Sequence, residues 1–235
     1  MAWITAGSPA DRVLPSDSVT LVHPQRFNAP PESIADLLRS DRGHWSRDRR
    51  RSRHWHLVRG EVLLLMPPGS RAIGMPFGLP SGQDDRPAVV ARVDVEQSAP
   101  WTRPRLTTVE RARDFYLADA FGRALVRIAD DQGRLHPDVD LHLGAPFSEH
   151  RLADDPSRVT ALVRAVHAGD PIYILGRSRL VAQAELAGLR DVPLVPCFAG
   201  DFGPVHIYDE TAFRQLAAWY ALPWYRKLSL LVRNR

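Results

Sequence analysis

The stretch from Asp155 to Tyr220 constrains the fold most, because five element signals follow one another there with little slack. Asp155-Pro156 reads as a helix start, a capping carboxylate followed by a proline whose missing N–H costs nothing in the first turn. Val159, Leu162, Val163 and Val166 fall at i, i+3, i+4 and i+7, which predicts an amphipathic helix that Gly169 stops. The short β-branched and aromatic run Pro171 to Leu175 predicts a strand ended by Gly176. Val192 to Phe198 and Val205 to Tyr208 predict two more strands, joined as a hairpin through the turn-forming residues Ala199 to Pro204. Asp209 or Thr211 then caps a last helix, in which Phe213, Leu216, Ala217 and Tyr220 repeat the helical spacing.

The order of four segments within this stretch resembles the enhanced-serine-sensitivity (SseB-type) domain. They are Ala161 to Val166, Asp170 to Ile174, Val192 to Phe198, and the strand-to-helix passage Val205 to Phe213. The resemblance implies a small α+β interaction module with no established catalytic residues, and it covers a core of residues 155–220. The chain departs from the family pattern at Cys197-Phe198-Ala199, where a Phe-Thr-Ser-like step is expected.

Upstream, Val19 to Val22 predicts a first strand, and Pro30-Pro31-Glu32-Ser33 opens a helix with Ile34, Leu37 and Leu38 on one side. Trp55 to Val58 and Glu61 to Leu65 flank Arg59-Gly60, a two-residue connection that suits a hairpin. Arg71 to Met75 is a further strand candidate. Val89 to Val95 alternates, with Val89, Ala91, Val93 and Val95 on one face. Residues 97–106, with Pro100 and Pro104, form a connector. Thr107 with Glu110 makes a capping box for a long helix whose buried stripe is Leu117, Phe121, Ala124, Leu125 and Ile128. Arg111, Arg113, Arg123 and Arg127 belong on its wet side. The expected fold class is therefore α+β: an N-terminal antiparallel β meander (residues 1–106), then a central long helix and a C-terminal α-β-β-β-α unit (residues 107–235). The two halves form either separate units or one continuous domain.

A chain of 235 residues with 44% apolar content is long enough to build a real core. The single cysteine, Cys197, excludes an intrachain disulfide and a cysteine zinc site, which suits a reducing compartment. Without a long apolar segment no membrane partner is expected, and the expected location is cytoplasmic. Lys227 is the only lysine among 31 basic residues. Arginine serves bidentate phosphate or carboxylate contacts, but a chain this rich in alanine, proline and glycine also carries arginine through compositional bias.

Three functional readings follow. The first, led by the family resemblance, is a non-catalytic adaptor that binds protein partners and needs no cofactor. The second is nucleic-acid binding through the densest positive region, with Arg47, Arg49, Arg50, Arg51, Arg53, Trp55 and Arg59 as candidates. There, guanidinium groups neutralise phosphates and tryptophan stacks a base. Its plainer alternative is a solvated loop before a strand.

The third is a divalent-metal-dependent hydrolase. Read as a strand, residues 136–144 put Asp138, Asp140 and His142 on one face, an oxygen-rich set that suits magnesium or manganese. Val139 to Leu143 is also similar to the opening metal strand of amidohydrolase-type enzymes, with Gly144 where that pattern has a second histidine. A half-exposed strand with ordinary polar residues is the plainer alternative. Two smaller constellations complete the set. Gly176-Arg177-Ser178 is an anion site or a turn. Cys197, His206 and Asp209 are a nucleophile, base and orienter, or a buried inert thiol with unrelated neighbours.

Overall fold

A computed structural model of the chain describes residues 29–44, 55–65, 86–98, 105–144, 148–151, 158–182, 194–223 and 226. The expected strands at Val19 to Val22 and Arg71 to Met75, and the candidates Arg47, Arg49, Arg50, Arg51 and Arg53, lie outside these residues. The fold is mostly β, which corrects the α+β expectation: the described residues hold two multi-stranded sheets, no central long helix and no N-terminal meander.

An eight-stranded sheet runs in the order β10-β11-β5-β4-β1-β9-β12-β6. Its strands are β1 (His56–Leu64), β4 (Phe115–Asp119), β5 (Gly122–Arg127), β6 (Val139–His142), β9 (Pro171–Gly176), β10 (Ser178–Ala182), β11 (Leu194–Ala199) and β12 (Val205–Asp209). A four-stranded sheet, β3-β2-β8-β7, contains β2 (Ala88–Ser98), β3 (Arg105–Ala112), β7 (Ser148–Arg151) and β8 (Arg158–His167). Among the described residues the α-helices are α1 (Ile34–His44) and α2 (Glu210–Ala221).

Four expectations fail for identifiable reasons. The segment expected to be the first C-terminal helix is β8, paired antiparallel along β2 with Val93 opposite Val163. Val159, Thr160, Val163 and Val166 are β-branched, which disfavours helix and suits a pleated surface. The long helix after Thr107 is instead β3, β4 and β5. Asp119 bends the β4–β5 hairpin by accepting from Phe121 N at 2.7 Å, and Phe121 stands exposed at its tip. The Arg59-Gly60 hairpin is one continuous strand, β1. Gly60 is there because β4 comes too close for a side chain: an added Cβ would sit 2.5 Å from Ala118 O and 2.8 Å from Leu117 Cγ. Finally, β11 and β12 are not a hairpin. β11 pairs with β10 and, in parallel, with β5, whereas β12 pairs with β9 and, in parallel, with β6. A short 3-10 turn, Gly200–Phe202, redirects the chain between them, and Gly203 leaves it at φ 129°, open to glycine.

The two helices follow the expected signals. Ser33 and Asp36 exchange capping contacts at the start of α1, and Ile34 N donates to Asp119 Oδ2 at 2.8 Å, tying the helix to the hairpin. Asp209 caps α2, accepting from Ala212 N at 2.6 Å.

Side-chain alternation gives the large sheet two different faces. On one, Val58, Val62, Leu117, Val126, Ile174 and Ile207 form a single core with Ile34 and Leu37 of α1, joined by Val90, Ala112 and Val166 of the small sheet. On the other, α2 lays Phe213, Leu216 and Tyr220 over Leu57, Tyr173, Leu175 and Tyr208. Each such fully buried side chain contributes roughly 1.5–3 kcal/mol. The small sheet carries a polar strip: buried Asp94 accepts from Thr108 Oγ1 at 2.8 Å and pairs with Arg92 at 3.1 Å and Arg164 at 3.3 Å.

The role of Gly60 is directly testable. Gly60→Ala forces β1 away from β4 and is expected to lose about 1–3 kcal/mol, read as a lower urea midpoint at unchanged slope. Stability equal to the parent would show that β4 does not press on this position.

Candidate metal centre

The hairpin of residues 129–135 feeds a tight turn in which Val139 N donates to His136 O at 3.0 Å and Asp138 N donates to the His136 ring at 3.1 Å. β6 begins only after this turn. Its four residues then pair in parallel with β12, with Asp140 opposite His206 and His142 opposite Tyr208. Val139 and Leu141 face the main core, so Asp140 and His142 share the other face with His206 and Tyr208.

Among the described residues, Asp140, His142 and His206 bring one ligand atom each into a set that all lie within 4.8 Å of one another. Asp138, expected as a third ligand, is not in this set. It sits in the turn before β6, where alternation has not yet begun, and its carbonyl accepts from Val205 N at 2.9 Å to start the ladder. Sequence reasoning named His206 only as a base beside Cys197 and Asp209, not as a partner of Asp140 and His142. The alternation of His206 and Tyr208 with Val205 and Ile207 is legible in the chain, but the pairing of β12 with β6 is not.

The donor atoms are arranged for convergence. Asp140 Oδ2 lies 3.1 Å from His206 Nδ1, yet without the alignment of a hydrogen bond, so that this buried nitrogen has no hydrogen-bond partner among the described residues. His142 Nε2 is likewise buried and unpartnered among them. A buried ring nitrogen left unsatisfied is unfavourable by about 1–3 kcal/mol, and such groups are met by an ordered water, a ligand or an ion. The two rings are held in plane by aromatic neighbours. His142 stacks on Tyr208 at 4.5 Å between centroids, and Trp55 stacks on His206 at 5.7 Å. The His206 side chain is only 7% exposed, whereas that of Asp140 is 51% exposed, so the centre opens to solvent on the carboxylate side.

Burial sets the protonation. Desolvation, with a smaller push from neighbouring His206, lowers the His142 pKa to about 4 against the opposing pull of Asp140. Desolvation also lowers that of His206, which Asp140 partly offsets. Both imidazoles are therefore neutral at pH 7, the state in which a ring nitrogen ligates metal. Burial raises the Tyr208 hydroxyl far above its ordinary value and keeps it protonated.

The other sequence candidates are placed differently. Cys197 is fully buried on β11, with its thiol pushed up to about 12 by desolvation. Four strands separate β11 from β12 in the sheet, a spread of roughly 24 Å at ordinary strand spacing. Asp209 spends its carboxylate on the α2 cap. Cys197, His206 and Asp209 are thus not a triad. Of the arginine-rich candidates, Trp55 lies against His206, and Arg59 reaches Glu210 at 3.5 Å and the Tyr173 ring at 5.6 Å. Arg177 is in the link between β9 and β10, and β10 starts at Ser178.

Comparison with protein-family models, curated proteins and solved structures finds no match for this chain. No helix among the described residues is long and apolar enough to cross a membrane.

The buried imidazoles make stability depend on pH in a defined direction. His142 titrates near 4 when folded and near 6.5 when unfolded, so the unfolded chain binds more protons in between. This destabilisation is absent above about pH 6.5 and grows as pH falls toward 4, reaching roughly 2 kcal/mol at pH 5. Urea unfolding of the metal-free protein at pH 7 and pH 5 measures it. His142→Gln is expected to flatten the difference, and an equal difference in parent and variant would assign it to other groups.

Proposed function

We propose that this chain is a metal-dependent hydrolase whose centre is Asp140, His142 and His206, holding a divalent transition ion of the zinc class. The observation that carries this reading is the convergence of three ligand atoms from two strands within 4.8 Å, two of them neutral nitrogens of buried or half-buried imidazoles. Exchanging Asp138 for His206 changes the donor set. Two nitrogens and one carboxylate suit zinc, cobalt or iron(II), rather than the magnesium or manganese expected of an all-oxygen face with one imidazole. Three protein ligands leave a coordination position for water, which is how catalytic zinc sites differ from structural ones with four. The half-exposed Asp140 side is where that position meets solvent. The ion would lower the pKa of bound water toward 7 and supply a nucleophile for an ester or amide carbonyl, or for a phosphoryl group. The adaptor and nucleic-acid readings have no comparable geometric support among the described residues.

Metal stoichiometry is the decisive measurement. Metal-free protein equilibrated with zinc and freed of excess ion is expected to retain one ion per chain by atomic emission. Asp140→Ala, His142→Gln and His206→Gln should each weaken retention by more than the roughly 10–100-fold that follows from removing an outer partner. Asp138→Ala should retain zinc as the parent does. Equal retention by His206→Gln and the parent would overturn the centre. Zinc-dependent turnover of p-nitrophenyl esters, lost in the same three variants, is the expected activity.

A further inference from the structure

Beyond the centre, on the same rim of the large sheet, Arg177 carries a charge with no ion-pair partner among the described residues. β1 and β9 pair up to His56 opposite Gly176, so Trp55 and Arg177 are the next residues outward on each chain. The Arg177 guanidinium carbon lies 6.0 Å from the centre of the Trp55 ring, and that ring in turn stacks 5.7 Å from His206. Guanidinium, indole and ligating imidazole thus follow one another directly. The Nε atom of Arg177 is shut off from solvent and makes no hydrogen bond, and the side chain enters no ion pair among the described residues. Its stem runs past Gly203, where an added Cβ would stand 3.7 Å from Arg177 Cδ. The positive φ of 129° there keeps the chain turned around the stem.

A buried guanidinium N–H without an acceptor is unfavourable, and the usual remedies are a carboxylate, a phosphate or a carbonyl. The cation–π contact with Trp55 supplies some compensation but uses the ring face rather than the N–H groups. The Asp140 carboxylate is turned to the His206 ring. Among the described residues, then, no acceptor meets the buried Nε of Arg177.

We infer that Arg177 and Trp55 form an oxyanion subsite beside the Asp140, His142 and His206 centre, so that the ligand of this site is a small molecule carrying a phosphate or carboxylate. The inference rests on the metal reading above and narrows it to an anionic substrate. Arg177 holds the oxyanion, the indole lies along the body of the molecule, and a second polar group reaches the ion. Arg177 is on this account a binding residue, and the centre itself does not depend on it for holding metal.

The test uses the full chain loaded with cobalt(II), whose visible absorption reports on the metal's coordination. Titration with 4-hydroxyphenyl phosphate and with 4-hydroxybenzoate offers each oxyanion on an aromatic body that carries a second polar group for the ion. At least one is expected to perturb the cobalt spectrum saturably, and Arg177→Gln to weaken that binding roughly tenfold or more while cobalt stoichiometry stays at the parent value. Arg177→Lys, which keeps the charge but not the planar fork, should fall between the two. Perturbation by neither probe, or equal affinity in the parent, Gln and Lys proteins, would overturn the subsite while leaving the metal centre standing. Failure of the parent to bind cobalt at all would overturn both, and is recognised before any anion is added.

Discussion

The parallel ladder between β6 and β12 is the constraint on which the candidate centre depends. Parallel strands cannot be joined by a tight turn, and between them this chain passes through β7, β8, β9, β10 and β11. Closing that ladder brings residues distant in sequence into direct register, Asp140 beside His206 and His142 beside Tyr208. A slip of one residue would turn His206 toward the hydrophobic core and Ile207 toward the centre, because side chains alternate with a period of two. The core opposes that slip. Val139, Val205 and Ile207 are buried on the opposite face with Ile172 and Ile174 of β9, so a one-residue shift would put imidazole in the core and expose isoleucine.

Burial does a second thing at this edge of the sheet. α2 covers the face next to the centre, held at its start by Asp209 and along its length by Phe213, Leu216 and Tyr220. The low-dielectric environment this creates keeps both imidazoles neutral, while the stacking partners Tyr208 and Trp55 hold the ring planes. A ligand set ordered in advance loses less conformational freedom when it binds an ion. The same burial silences Cys197, whose thiol is pushed away from its reactive form by desolvation. One physical effect thus keeps both imidazoles neutral and disables the sulfur.

The expectations that failed share a cause. Apolar residues at i, i+3, i+4 and i+7 mark a helix when one face is wet, but a strand with both faces partly covered satisfies the same spacing. Val159 to Val166 is such a strand, with Val163 and Val166 both buried although they stand on opposite faces of β8. Thr107 and Glu110 have capping-box spacing, but in β3 they are paired with Val95 and Arg92 across the sheet. Gly60 was ambiguous for a different reason. A glycine serves equally for a turn or for close approach of a neighbouring strand, and only the position of Ala118 decides between them. The helices that were legible, α1 and α2, have apolar stripes reinforced by side-chain caps at Ser33 and Asp209, two independent local signals that agree.

Local chemistry determined what can be read from one stretch at a time: the two capped helices, the strands β2, β6, β9, β11 and β12, and the presence of Asp140 and His142 on one face of β6. These depend on neighbours within a few residues, so the sequence contains them. Tertiary structure alone decided which strands are adjacent, that Asp138 stays in a turn, and that His206 stands beside Asp140 and His142. Strand adjacency is set by burial over the whole chain, where many pairings satisfy the same alternation and only one fills the core between the sheets and α1 without leaving apolar faces in water.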